Sequence, residues 1–347
     1  MTAIRTILVL SLILTVGIAS SWAKSEPPIE RPKNINVVII GFVVGTSMQL
    51  RAEFIAEALR NEYPDWTIKS LATPKGSMDV RRHRQKKTAN FFLTLSPWKC
   101  GREYHMPVYR DAGIDYDKVF NHFPVIPTDT KTVHFFVLNE SKLASIRDLK
   151  NIKYPLKIGY DKTHHLLFNR IIKFYGTTWE DIKSWGGDYI EVNFGAPMGP
   201  EMMRAGKINA GFGWTGAPNP AFLSVGKELD WRLLPIAEPG EDELLKNVKE
   251  VGFYGTVISP GVYPWVKNDL YTIAQTEWLS AIPDTNPEGV VYWVTRGLWN
   301  QRNFLISGFK GFAPKLKPSA IASDLEFLTT SAHPEALLFY REQGWIK

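Results

Sequence analysis

The feature that most constrains this chain is an apolar run that empties into a glycine-bounded loop and then into a helical repeat. Asn36 to Ile40 reads Asn-Val-Val-Ile-Ile, the near-continuous β-branched pattern of a strand buried on both faces. Gly41-Phe42-Val43-Val44-Gly45-Thr46-Ser47 follows, and then Leu50, Phe54, Ile55, Ala58 and Leu59 recur at helical spacing. Strand, loop, helix is the opening of a βαβ unit. Trp66 to Ala72 gives a second strand, Pro74-Lys75-Gly76-Ser77 a turn into a basic helix, and Phe91 to Leu95 a third strand ending at Ser96-Pro97-Trp98. The alternation predicts an α/β fold with a mainly parallel sheet.

The same plan starts again further on. Val133 to Leu138 and Leu156 to Gly159 read as strands. The loop Tyr160-Asp161-Lys162-Thr163-His164-His165 feeds a helix through Leu166, Leu167, Ile171, Ile172 and Phe174, closed by Gly176. Gly206 to Trp214 reads as a turn and a buried strand. After Val251 the pattern changes: Asp269 to Leu279 is strand-like, while Val290 to Leu298 and Ile321 to Leu328 are helical by spacing. The expected organisation is a first lobe over 34–139, a second over 140–252, and a C-terminal region, 253–347, that returns to the first. Two crossings of that kind make a hinged pair.

Residues 1–23 read as a cleaved export signal. Arg5 supplies a positive start, Thr6 to Ile18 an apolar stretch, and Ser21-Trp22-Ala23 the small residues of a cleavage site, with polar sequence following. A membrane-spanning helix needs about 20 apolar residues, and no later segment approaches that. The expected location is therefore periplasmic, with cleavage near Ala23. A lone cysteine, Cys100, excludes an internal disulfide and a cysteine-based zinc cluster. The net charge of +6 owes much to Arg81-Arg82-His83-Arg84-Gln85-Lys86-Lys87. We read that run as a solvated helix face rather than a nucleic-acid surface.

No catalytic signature is present: there is no Walker loop, no GxSxG elbow and no HExxH. Gly41 and Gly45 lack the third glycine of a dinucleotide loop. His164 and His165 are neighbours that a helix points apart, so neither a metal nor a cofactor is expected. What the sequence offers is polar loops at the C-terminal ends of parallel strands, the edge where open α/β sheets bind ligands. Thr46, Ser47, Ser77, Thr163 and His164 each stand where a loop enters a helix N-terminus, with free N–H groups and a positive dipole end. For Thr46, Ser47 and Ser77 plain N-capping is an equal and compatible reading. Trp98 and Trp214 end strands on the same edge and are candidate apolar walls, although core packing is the commoner fate of a tryptophan.

Four stretches resemble a known family. They are Thr132 to Val137 with Ser145-Ile146-Arg147-Asp148-Leu149-Lys150; Gly206-Lys207-Ile208-Asn209-Ala210-Gly211-Phe212 with Gly216-Ala217-Pro218; Ile258-Ser259-Pro260-Gly261-Val262-Tyr263; and His333-Pro334-Glu335-Ala336 with Tyr340-Arg341-Glu342-Gln343-Gly344. In order, these resemble motifs of the TAXI branch of solute-binding proteins that serve tripartite ATP-independent periplasmic (TRAP) transporters. The first loop and the Asp161 to His165 loop depart from that family's glycine-rich ligand loops. The resemblance implies a type II periplasmic-binding-protein-like fold, two α/β lobes joined by a hinge with a cleft between them. It further implies a non-enzymatic, monomeric binding protein that delivers a small carboxylate or related anion to a TRAP-type permease. The ligand set it points to is Thr46, Ser47, Ser77, Trp98, Thr163, His164, Trp214 and Thr215. The same cleft would serve a sensor that signals to a membrane receptor. An enzyme using His164 or His165 as base, or a structural envelope protein with a collapsed cleft, are the remaining alternatives.

Overall fold

In the computed structural model the first strand, β1 (Asn36–Phe42), runs parallel to β2 (Thr67–Ala72) on one side and to β3 (Phe91–Leu95) on the other. The structure describes residues 27–42, 46–73, 77–95, 121–160, 164–192, 194–195, 197–226, 228–328 and 330–347. The expected export signal, Trp98 and Thr163 lie outside these residues. Residues 31–347 form one unit by their contacts, and residues 1–30 a separate one of which only 27–30 are described.

Between β1 and β2 runs α1 (Ser47–Glu62), which buries Arg51, Ala52, Ile55, Ala56, Ala58 and Leu59. Thr46 caps it, its side chain accepting from the Gln49 N–H, one of the donors a helix start leaves unpaired. The helix lies so close to β1 that a Cβ at Gly41 would stand 2.7 Å from the Ala52 Cβ and 2.8 Å from the Gln49 Cα. Only glycine permits that approach. Leu50, expected on the apolar stripe, is instead exposed. The basic helix α2 (Ser77–Lys86) precedes β3.

Next comes β4 (Phe123–Leu138), of 16 residues, and much later its antiparallel partner β10 (Leu270–Ala281), of 12. Between them the chain forms α3 (Asp148–Ile152), β5 (Lys157–Tyr160), α4 (His165–Phe174), α5 (Trp179–Ser184), β6 (Asp188–Glu191), α6 (Met198–Arg204), β7 (Ala210–Thr215), α7 (Pro220–Val225), β8 (Trp231–Leu234), α8 (Asp242–Lys249) and β9 (Tyr254–Ile258). After β10 come α9 (Val290–Asn300), α10 (Arg302–Gly308), α11 (Pro318–Glu326) and α12 (Pro334–Glu342).

The sheet runs β2-β1-β3-β10-β4-β7-β5-β6, with β8 beside β4 and β9 beside β10. It is therefore mixed, which corrects the mainly parallel expectation: parallel toward its ends, antiparallel around β4 and β10. The polar block Thr128 to Thr132 hid the length of β4, because a strand buried between two neighbours ordinarily reads as unbroken apolar sequence.

Both long strands change partners at one level. From Phe123 to Thr132, β4 pairs with β10; beyond it, Thr132 to Leu138 pair with β7 and β8. Ala274, opposite Thr132, ends the β4 pairing of β10, and Leu270 to Ala274 pair with β9. Two α/β halves thus share two continuous strands, the type II periplasmic-binding-protein-like plan. In the second half Phe135 packs into one core cluster and Phe136 into another, because successive strand residues face opposite sides.

Candidate functional site

The level at which β4 and β10 change partners carries four buried charges. Arg51 of α1 reaches Glu277 of β10 through Nε (2.6 Å) and Asp129 of β4 through a terminal nitrogen (2.7 Å). The Lys131 Nζ stands 3.1 Å from Asp129 and 3.2 Å from Glu277. Asp129 and Glu277 are paired across the two strands, and Lys131 lies two residues on, so strand alternation puts all three on the face that α1 covers. The Arg51 guanidinium also lies 4.6 Å from the Phe309 ring centroid. Burial pushes the Asp129 carboxyl up, but Lys131 and then Arg51 more than offset this and hold it below the usual carboxylate range. Burial lowers the Arg51 pKa, and the Glu277 and Asp129 charges outweigh it, leaving the group above its ordinary value. Two cations and two anions cancel, so this quartet by itself gives the region no net charge.

Both halves meet at Lys131. Its ammonium lies 3.4 Å from the Ser47 hydroxyl, at the start of α1 in the first half. A Cβ at Gly216, just past β7 in the second half, would lie 4.0 Å from the same ammonium and 3.3 Å from Asp129. Ser47 also accepts from Arg51 at 3.3 Å. Its two contacts with the cations are therefore long, at the limit of useful hydrogen bonding.

Around this level each half presents hydrogen-bond donors at strand ends. Thr46 and Ser47 follow β1. Thr73 follows the neighbouring β2, and its hydroxyl is buried without a partner. Ser77 begins α2. In the second half Trp214 and Thr215 end β7, opposite Val133 and Thr132 of β4. The Trp214 indole N–H is also buried without a partner, while its ring packs 4.8 Å from Phe253 and 5.5 Å from His164. His164 is buried immediately before α4. The Thr215 hydroxyl accepts from Asn219 Nδ2 at 2.9 Å, so it is already held inside the second half. Buried polar groups without a hydrogen-bond partner are few in folded proteins, and the Thr73 hydroxyl and the Trp214 indole N–H are two of them.

Behind Thr215 lies a second polar network. His134 Nδ1 donates to the Thr132 carbonyl (2.9 Å), and Nε2 accepts from the Tyr263 hydroxyl (2.9 Å), which in turn accepts from the Asn219 N–H (2.9 Å). Asn219 caps α7 through Oδ1. Burial drives the His134 imidazole pKa down to about 3, so this ring is neutral and serves as a relay of fixed hydrogen bonds. Among the described residues no three His, Cys, Asp or Glu side chains are grouped to hold a metal ion.

Sequence reasoning missed Arg51, Thr73, Asp129, Lys131 and Glu277. A signal existed for three of them. Arg51 falls on the helix stripe shared by Ile55 and Ala58, and Asp129 and Lys131 interrupt an otherwise apolar strand. Charged residues at core positions demand partners.

Among the described residues no helix is long and apolar enough to cross a membrane. Comparison with curated proteins finds no match. Solved structures that resemble this one include periplasmic binding protein BugD (11% identity, 90% of this chain and 99% of that one, TM-score 0.49). Others are a TctC solute-binding protein from Polaromonas (11%, 91% and 97%, TM-score 0.46) and the periplasmic aliphatic sulphonate-binding protein SsuA from Escherichia coli (15%, 90% and 88%, TM-score 0.42). A family model described as NMT1-like matches residues 118–344. That span takes in β4, the whole second half and β10, and on that match the chain belongs to the NMT1-like family.

Proposed function

We propose that this protein is an exported, periplasmic solute-binding protein that captures a small carboxylate-bearing anion between its two halves and hands it to a TRAP-type permease. The observation that carries this reading is the Lys131 ammonium, set between Ser47 of the first half and Gly216 of the second. An anion arriving there replaces a long Ser47 contact with a charge-assisted hydrogen bond, which is shorter and stronger. The α1 N-terminus, the Thr73 hydroxyl and the Trp214 indole N–H supply further donors, and Thr46 and Ser47 act as both cap and contact. Ser77, Trp98, Thr163 and His164 complete the proposed wall, with Thr215 fixing the β7 end. The shared strands are the hinge. Preferential binding to the closed arrangement shifts the population toward it, and the chain acts by binding, without turnover, as a monomer.

The test begins with mass spectrometry of small molecules released by denaturing the purified protein, followed by thermal-shift titration with mono- and dicarboxylates. A bound acid whose stabilisation is weakened in Ser47→Ala and Thr73→Val supports the reading. Stabilisation by acids that neither variant weakens removes the proposed site. Uptake by membranes carrying the cognate permease must then proceed without ATP; an ATP requirement replaces the TRAP assignment with an ATP-driven transporter.

A further inference from the structure

The polar rim of the second half turns on one side chain. Asn219 lies between β7 and α7, caps α7, and is 6% exposed. An asparagine side chain has two lone pairs and two N–H groups to satisfy, and here all four are used. Oδ1 accepts from the Ala221 N–H at 2.8 Å and from the Phe222 N–H at 3.2 Å. Nδ2 donates to the Gly195 carbonyl at 3.0 Å and to the Thr215 hydroxyl at 2.9 Å. These partners fix which way the amide faces. Exchanging Oδ1 and Nδ2 would set an NH₂ against two backbone N–H groups and an oxygen against the Gly195 carbonyl. The Asn219 main-chain N–H is held as well, donating to the Tyr263 hydroxyl at 2.9 Å.

That polarity passes to Thr215. A hydroxyl has one proton and two lone pairs. The Asn219 amide occupies a lone pair of the Thr215 oxygen, so the hydroxyl proton is directed away from Asn219. Among the described residues no acceptor takes that proton, and Thr215 is only half-buried. Its place in the fold matters. Thr215 ends β7 opposite Thr132, the residue at which β4 passes from β10 to β7. The next residue, Gly216, is the one whose Cβ would stand 4.0 Å from the Lys131 ammonium. The unused proton therefore belongs to the level where the two halves meet.

We infer that Asn219 is a positioning residue for ligand: it fixes the Thr215 hydroxyl as a hydrogen-bond donor, and an acceptor oxygen of the ligand takes its proton. The inference rests on the proposed function and adds to it a residue that touches no ligand itself. Asn219→Asp keeps the Oδ1 cap on α7, since aspartate caps helices as well as asparagine does. It presents Thr215 with an acceptor in place of a donor. The hydroxyl proton then turns inward, and an arriving carboxylate meets a lone pair.

The test uses propionate, succinate and glutarate as probes in calorimetric titrations of the full chain. Wild type is expected to bind at least one of them. Thr215→Val should weaken that binding about tenfold, the factor that one hydrogen bond supplies, and Thr215→Ser should restore it. Asn219→Asp should weaken it by a similar factor. Combined with Thr215→Val it should add no further loss, because a residue that acts through another is non-additive with it. Asn219→Ser, a neutral cap that also releases Thr215, serves the same cycle if the buried carboxylate prevents folding. Asn219 variants that bind like wild type overturn the inference. So do variants that lose the same factor whether residue 215 is Thr or Val, since Asn219 then acts on the fold and not through the hydroxyl. Binding weakened by Ser47→Ala but indifferent to Thr215→Val overturns this inference and leaves the proposed cleft standing. Failure of wild type to bind any of the three acids removes both.

Discussion

Consecutive residues of β10 point to opposite faces of the sheet and enter two buried ion clusters of unlike construction. Glu277 joins Arg51, Asp129 and Lys131 beneath α1. Thr276 joins Lys315, Asp324 and Tyr254, where the Lys315 Nζ donates at 2.9 Å to Tyr254, to Thr276 and to Asp324. The second cluster is saturated. One ammonium has its full set of short acceptors, and the result ties α11 to the crossing strand. The first cluster is balanced in charge but ends in 3.3 and 3.4 Å contacts to Ser47. One cation site is finished, while the other keeps a weak contact, the one that the proposed function assigns to a ligand oxygen. Burial alone does not distinguish them; the length of the last hydrogen bond does.

The largest effect should come from breaking either cluster. Arg51→Met and Lys315→Met each strand a buried carboxylate and are expected to cost about 3–5 kcal/mol of stability, measured by chemical denaturation. The comparison sharpens if the ligand-induced rise in melting temperature survives Lys315→Met and is lost in Lys131→Met. Equal loss in both would erase the distinction between finished and open clusters.

Acid should act next, through His134. Its folded pKa of about 3 lies below the ordinary value of 6.5, so the unfolded chain binds the extra proton between those values. The contribution is complete above about pH 6.5 and is lost progressively as pH falls toward 3, with a slope approaching about 1.4 kcal/mol per pH unit. Denaturation across that window should show the slope in wild type and a flatter profile in His134→Gln. Asp129, held low by Lys131 and Arg51, adds a loss with the same sign at lower pH. Lys315, whose pKa stays raised because Tyr254 and Asp324 outweigh its burial, loses its contribution only in strong alkali.

Smaller again is Thr73→Val. Removing an unpaired buried hydroxyl should raise stability by about 1 kcal/mol while weakening binding of the proposed carboxylate. A stability gain with unchanged ligand response would assign Thr73 to packing alone. The smallest effect belongs to Ser47→Ala, expected within about 0.5 kcal/mol in the free protein, with its consequence appearing only when ligand is present.

The alternation of strands and helices, the cap at Thr46 and the second round beginning in the middle of the chain are local patterns. Periodicity and turn chemistry act over a few residues, so the sequence alone determined the α/β class, the longer elements and the strand-end positions of Thr46, Ser47, Trp214 and Thr215, while the short α5, β6, α7, β8, α8, β9, α10 and α12 went unread. The mixed sheet, the 16-residue β4 and the gathering of Arg51, Asp129, Lys131 and Glu277 were decided by tertiary structure. Arg51 and Glu277 stand 226 positions apart. A charge on an apolar stripe announces only that it needs a partner, and which partner it finds depends on how β4 and β10 pair across the fold.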